Sequence, residues 1–163
     1  MHPYTLVFIR KDDDILMINR EHPPWLGSWN GLGGKIRPNE TPDACIRREI
    51  IEETGEEIPA DRILFRGTVT WNSFDAQGRG LYVYVASVTE GFGQSMPRPT
   101  DEGILDWKPI SWIMDSRNTG VASNIPHFLP SVLGDGPPST YHCVFDGNTL
   151  VSVTKERGAF HAF

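Results

Sequence analysis

Apolar residues along this chain fall in short blocks separated by turn-forming residues. Tyr4-Thr5-Leu6-Val7-Phe8-Ile9 and Ile15-Leu16-Met17-Ile18 predict two strands, with the polar run Lys11 to Asp14 turning between them. Runs at 63–71 and 81–88, and a shorter one near 104–110, predict three more. The segments 140–145 and 149–154 flank Asp146-Gly147-Asn148, a hairpin signal. Residues 42–54 predict a helix: Thr41 suits its N-cap, Pro42 its first turn, and Gly55 its stop. Asn124-Ile125-Pro126 opens a second helix running to about Leu133. Residues 21–34 hold two prolines, four glycines and two tryptophans and read as an ordered loop. Strands mixed with two helices predict an α/β fold, a sheet covered by helices on both faces. The Gly- and Pro-rich stretch Gly134 to Ser139 is the best candidate boundary, but the C-terminal remainder beyond it is too short to fold alone. The expectation is one domain over residues 1–163.

Composition narrows the class. With 163 residues, 39% of them hydrophobic and 22% charged, the chain suits one globule that buries about 70% of its unfolded surface. The longest apolar runs, such as Leu81 to Val88, are too short to cross a bilayer, so no membrane contact is expected. Met1-His2-Pro3-Tyr4 leads directly into a strand with no charged-then-apolar leader, which predicts a cytoplasmic protein. Cys45 and Cys143 read as two small buried thiols, since a chain of this length needs no disulfide. The net charge of −6 argues against binding a nucleic-acid polymer, whose affinity comes from clustered Lys and Arg. It leaves room for a small phosphorylated substrate, because an acidic site can hold divalent cations that face the phosphates.

The informative stretch runs from Gly34 to Gly55. Glu49, Glu52 and Glu53 stand at i, i+3 and i+4 on the predicted helix, sharing one face near its carboxyl end. Like charges at that spacing repel, and acids at the negative end of the macrodipole are disfavoured by roughly 0.3–1 kcal/mol each. Three glutamates can form a solvated acidic face, since glutamate is a good helix former. They can also be hard oxygen ligands for Mg²⁺ or Mn²⁺.

The surrounding spacing separates these readings. The run matches Gly-x5-Glu-x7-Arg-Glu-apolar-x-Glu-Glu-x-Gly, filled by Gly34, Glu40, Arg48, Glu49, Glu52, Glu53 and Gly55. Chance occurrence is on the order of 10⁻⁸ per starting point. This run resembles the signature of the Nudix hydrolases, with one departure: an apolar residue usually follows the final glycine, and here Glu56 does, with Ile58 available for that packing role. The resemblance implies an α/β/α sandwich with a mixed sheet, and a diphosphatase whose metal ligands are Glu49, Glu52, Glu53 and the Gly34 carbonyl. Gly33 and Gly34 let the backbone approach a phosphate or metal. Arg48 pairs with a neighbouring carboxylate and holds the array in register. Glu40 reaches the same junction or is a simple helix-start acid.

Tyr4-Thr5-Leu6-Val7, Trp29-Asn30-Gly31-Leu32-Gly33-Gly34-Lys35 and the C-terminal hairpin resemble the MutT-like 8-oxo-dGTP diphosphatases. That resemblance implies Thr5 and Asn30 near the base, Arg20 or Lys35 near base or phosphate, and Trp71 as an aromatic wall. Asn124 looks like the purine-reading asparagine of the bacterial branch; the paired aspartates of the vertebrate branch have no counterpart here. Each has a plainer reading too: Trp29 and Trp71 as core aromatics, Asn30 as a turn residue, and Asn124 as an N-cap. Glu102 is either a further carboxylate ligand or a solvated loop acid. The implied partner is a small nucleotide, cleaved to a monophosphate and diphosphate by a monomer or homodimer. A nucleotide sugar or dinucleotide is the alternative substrate, and a non-catalytic nucleotide-binding regulator the alternative class. Trp25 and Leu26 are expected at a loop tip, as a lid or subunit contact.

Overall fold

The computed structural model describes residues 1–23, 25–72, 80–158 and 160. Nine strands form one sheet: β1 (Tyr4–Lys11), β2 (Asp14–Arg20), β3 (Trp29–Asn30), β4 (Ile63–Trp71), β5 (Gly80–Ser87), β6 (Arg98–Thr100), β7 (Gly103–Pro109), β8 (Ser139–Asp146) and β9 (Thr149–Arg157). Among the described residues three α-helices accompany them: α1 (Pro42–Thr54), α2 (Ile110–Met114) and α3 (Ile125–Leu133). The strand order is β6-β7-β2-β1-β5-β4-β8-β9, with β3 on β2. β1 runs parallel to β5 and β4 parallel to β8, while the other pairs are antiparallel, so the sheet is mixed as expected.

Alternation along the central strands sorts the core into two layers. Val7, Ile9, Leu16 and Ile18 join Ile46 and Ile50 of α1 on one face. Leu6, Phe8, Ile15 and Met17 join Ile113 of α2 and Ile125, Phe128, Leu129 and Val132 of α3 on the other. Both faces are covered, which is why β1 and β2 read as continuous apolar runs. This is the α/β/α sandwich.

The local signals around α1 act as their chemistry predicts. The Thr41 hydroxyl accepts from Ala44 N–H at 3.1 Å, Pro42 fills the first turn, and Gly55 closes the helix at φ 73° with its N–H on the Ile51 carbonyl at 2.8 Å. Ile58 is buried against Ile46 and Ile50, taking the packing place that Glu56 leaves. Of these strands and helices, three lie outside the sequence expectation: β3, β6 and α2. They are two, three and five residues long, and pairing with β2 and β7 makes the two strands. The Gly134 to Ser139 stretch leads straight into β8, and Arg66 of β4 braces it by donating to the Val132, Gly134 and Gly136 carbonyls at 2.9, 2.9 and 2.6 Å. Cys45 and Cys143 are buried free thiols. Among the described residues no helix is long and apolar enough to cross a membrane.

Candidate active site

The glycine turn and α1 meet along the face of β1 that carries Thr5, Val7 and Ile9. Leu32 pairs with Val7, and Thr5 N–H donates to the Gly34 carbonyl at 2.9 Å, so the turn docks as a short irregular strand. Glycine is required at 33, where backbone blocks a side chain, and at 34 it leaves room for a carboxylate. A Cβ on Gly33 (φ 155°) would run into the Thr5 carbonyl, and one on Gly34 would run into the Glu49 carboxylate. The acid helix and the turn are therefore in direct contact through Glu49 and Gly34.

One of the expected ligands has protein partners in this fold. The Gly34 carbonyl, expected among the metal ligands, accepts the Thr5 amide and also the Thr5 hydroxyl at 3.4 Å, and so is drawn into pairing with β1. Backbone polar groups alternate in direction along an extended segment. It is accordingly the Gly33 peptide that turns to the glutamates, its N–H donating to the Glu53 carboxyl.

Arg48 holds the array together. It donates to Glu40 at 2.7 and 2.8 Å, to Glu49 at 2.8 Å, to Glu52 at 3.2 Å and to the Lys35 carbonyl at 3.2 Å. Glu40 also accepts from Arg37 N–H at 3.0 Å. Glu40 is thus a strut at the loop–helix junction, and the Arg48 guanidinium holds its carboxyl down to about 2. Glu52 is half exposed and leans on both Arg37 and Arg48.

Glu53 differs from its neighbours. It is 7% exposed, and its Oε2 is buried without a hydrogen-bond partner among the described residues. Burial pushes its carboxyl up to about 8, and the charges of Glu49 and Glu102 push in the same direction. Burial likewise raises Glu49, against the opposing pull of Arg48. Glu102 is exposed at the β6–β7 turn, and its charge still raises both glutamates, so it lies within electrostatic range of them. Among the described residues no three His, Cys, Asp or Glu side chains stand as a preformed cation cage. Arg48 bonds to an oxygen of Glu49 and of Glu52. The donor set still fits a hard cation: an orphaned, buried carboxylate oxygen faces the charge of two further carboxylates.

The remaining predicted residues divide in two. Thr5 is buried with its hydroxyl 3.3 Å from Cys45 Sγ, wedged between β1 and α1. Arg20 lies close enough to Glu53 to pull its carboxyl down slightly, and the Lys35 side chain is exposed. Asn30 Oδ1 accepts from Gly31 N–H at 2.8 Å, a turn role, which leaves its amide donors. Asn124 stands at the N-cap position of α3 but makes no capping bond; its amide points to Cys143 Sγ at 3.8 Å. Trp71, whose β4 position pairs with Cys143, packs at the edge of the core layer beneath α3, as do Trp25 and Phe145. Trp25 is half-buried, edge-on to Phe145 with centroids 6.1 Å apart, and of the expected pair Leu26 is the exposed one. Trp29 meets Trp112 edge-on, with the Lys108 ammonium 4.4 Å above its ring. A hollow of about 470 Å³ beside Trp112 is lined by residues 115 and 117–120, none of them part of the acid array.

Fold and site together define an α/β sandwich that presents a helix-borne carboxylate array against a glycine turn. The family model of the NUDIX domain matches residues 1–127, and the chain belongs to this family. An oxidized purine nucleoside triphosphate hydrolase of Danio rerio is 37% identical over 110 residues, covering 67% of this chain and 67% of that protein. An ADP-ribose pyrophosphatase of Methanocaldococcus jannaschii is 31% identical over 103 residues, covering 62% and 59%. A Mus musculus protein of the same description as the Danio rerio one is 36% identical over 55 residues, 35% of its length, so the chain matches only part of these relatives. Among solved structures, a MutT protein from Bacillus halodurans superposes with a TM-score of 0.75 at 20% identity, covering 96% of this chain and 98% of that one, a likeness of fold.

Proposed function

We propose that this chain is a divalent-cation-dependent diphosphatase of nucleoside triphosphates, with oxidised purines such as 8-oxo-dGTP as its preferred substrates and nucleotide-pool sanitising in the cytoplasm as its role. The observation that carries the reading is Glu53, a carboxylate buried with an unpartnered oxygen beside Glu49 and within the field of Glu102. A structural acid in that position is a liability; a ligand awaiting a cation is not. Glu49, Glu52, Glu53 and Glu102 would hold Mg²⁺ or Mn²⁺. Bound there, the cations would neutralise the phosphate oxygens and acidify a water. The attacking water gives a proton to one of these carboxylates and bonds to the β-phosphorus. The bond from that phosphorus to the α–β bridging oxygen breaks, releasing a nucleoside monophosphate and diphosphate. Arg48 keeps the carboxylates in register, and Arg20 and Lys35 meet the phosphates.

Base selection falls to the opposite side of the turn. Asn30 offers amide donors, Asn124 a free carbonyl, and Trp71 an aromatic wall. Oxidation turns the purine N7 from an acceptor into a donor, which suits the Asn124 carbonyl. Asn124→Ala is expected to lower kcat/KM for 8-oxo-dGTP roughly 5- to 150-fold, the effect of leaving one buried polar group unpaired, with little change for dGTP. Steady-state kinetics on both nucleotides measure this. A variant that keeps the wild-type ratio rules out base reading by Asn124.

Turnover of a nucleotide panel tests the class. Activity should disappear with a chelator and return with Mg²⁺ or Mn²⁺; full hydrolysis under exhaustive chelation removes the mechanism. The archaeal relative, named for an ADP-ribose activity, favours a second reading in which the diphosphate lies between two nucleoside or sugar groups. Preference for ADP-ribose over every triphosphate in the panel selects it, and binding without turnover selects a nucleotide-sensing domain instead.

A further inference from the structure

The last turn of α1 holds Glu52 and Glu53 but no basic residue. The compensating charge arrives from elsewhere. Arg98, the first residue of β6, donates from a guanidinium nitrogen to the Thr54 carbonyl at 2.7 Å. Its two terminal nitrogens lie 3.6 and 3.9 Å from where a Cβ on Gly55 would stand. A cation there satisfies an end carbonyl and opposes the negative pole of the helix. Glu56, the residue at which the motif departs from its pattern, works beside it: Oε2 accepts from Gly93 N–H at 2.9 Å. The Gly93 carbonyl in turn accepts from the Trp107 indole of β7 at 2.8 Å. The segment 93–98 is thereby pinned at two points to the end of the acid helix.

That segment feeds the hairpin that carries Glu102. Arg98 pairs with Leu105 and Thr100 with Gly103 across β6 and β7. The Thr100 hydroxyl orders the turn by donating to the Gly103 carbonyl at 2.9 Å and accepting from Glu102 N–H at 3.2 Å. Glu102 therefore sits on a stiff arm whose root is bolted to the turn of α1 that holds Glu52 and Glu53. We propose that Arg98 is a positioning residue that fixes Glu102 relative to the glutamates of α1, with Glu56 as the second brace. The proposal rests on the reading of Glu102 as a further cation ligand, and it explains why Glu56 replaces the usual apolar residue.

Coupling between the two residues is the test. Arg98→Gln, Arg98→Lys, Glu102→Gln and the double variant Arg98→Gln/Glu102→Gln are titrated with Mn²⁺ in nucleotide-free buffer by calorimetry, then assayed with nucleoside triphosphate. Arg98→Gln is expected to weaken Mn²⁺ binding roughly tenfold and lower kcat by a similar factor, as loss of an outer-shell support does, with KM changed less than about twofold. Arg98→Lys should recover most of both. In the Glu102→Gln background, Arg98→Gln should have no further effect on Mn²⁺, because the two changes remove one interaction. Mn²⁺ affinity within about twofold of wild type, or effects that add in full, overturns the proposal and leaves Arg98 a plain helix cap. Should Arg98→Gln not fold, Glu56→Leu removes the other brace and enters the same cycle. If wild type turns over no nucleotide yet the Arg98–Glu102 coupling in Mn²⁺ binding is present, the diphosphatase reading falls and the positioning role stands. If wild type binds no Mn²⁺, both fall.

Discussion

Glu53→Gln is expected to abolish turnover, by a factor on the order of 10³, and to raise the melting temperature of the metal-free protein at pH 8. Both effects come from the same atoms. Glu53 is 7% exposed, has an oxygen without a partner, and lies within the fields of Glu49 and Glu102. Its carboxyl is raised to about 8, against an ordinary value of 4.5. A raised carboxyl means that the folded state resists ionisation more than the unfolded chain does. Stability attached to this group is therefore highest below pH 4.5 and falls as the pH rises towards 8, by an amount on the order of a few kcal/mol. Glutamine removes the charge and keeps the shape, so the variant should melt about 5–10 °C above wild type at pH 8 and level with it near pH 4. Saturating Mg²⁺ should reverse the order, since wild type gains the binding free energy and the variant loses most of it. Thermal melts at both pH values, with and without Mg²⁺, measure all of this. Near-normal turnover, or a melting difference independent of pH, would make Glu53 an ordinary buried acid.

Much of this site was readable in the sequence because its determinants are local. Thr41, Pro42 and Gly55 fix the ends of α1 from within a few residues, and the i, i+3, i+4 spacing alone aligns Glu49, Glu52 and Glu53 on one face. The strands of the core were equally plain, since burial on both sides makes them continuous apolar runs. What escaped depends on pairing between distant segments. The spacing offers Gly33 and Gly34 alike, and only docking on β1 decides that Gly34 turns its carbonyl to Thr5 while Gly33 turns to Glu53. Thr5, expected near the base, is buried beneath α1 with its hydroxyl 3.3 Å from Cys45 Sγ, a contact no local signal announces. Arg98 follows a Pro-containing loop and gave no signal, because nothing local places it 2.7 Å from a carbonyl 44 residues earlier. Glu56 was visible as a break in the motif, and its partner Gly93 was not.

Arg48→Gln should produce the second large effect: a fall in stability of about 3 kcal/mol at pH 7, or roughly 6–12 °C in melting temperature, together with loss of most activity. Arg48 is bonded to Glu40, Glu49 and Glu52 at once, and its side chain is 18% exposed, against 14% for Glu40 and 13% for Glu49. Removing it leaves two mostly buried carboxylates without their counter-ion, which is more damaging than removing an exposed pair. The pH dependence comes from Glu40. Arg48 holds that carboxyl at about 2, below its ordinary 4.5, so the pair contributes stability that is complete above pH 4.5 and is lost as the pH falls towards 2. Glutamine cannot supply that contribution at any pH. The gap between wild type and variant should therefore be widest at pH 6–7 and shrink as the pH drops through 4, where the stranded carboxylates take up protons. Denaturant melts of the metal-free proteins at pH 7 and pH 3.5 give the two gaps directly. A gap of the same size at both values would mean that Arg48 stabilises the helix by packing alone. Glu40→Gln combined with Arg48→Gln sharpens the test: deleting one stranded carboxylate should recover part of the loss, whereas a purely packing role predicts a further fall.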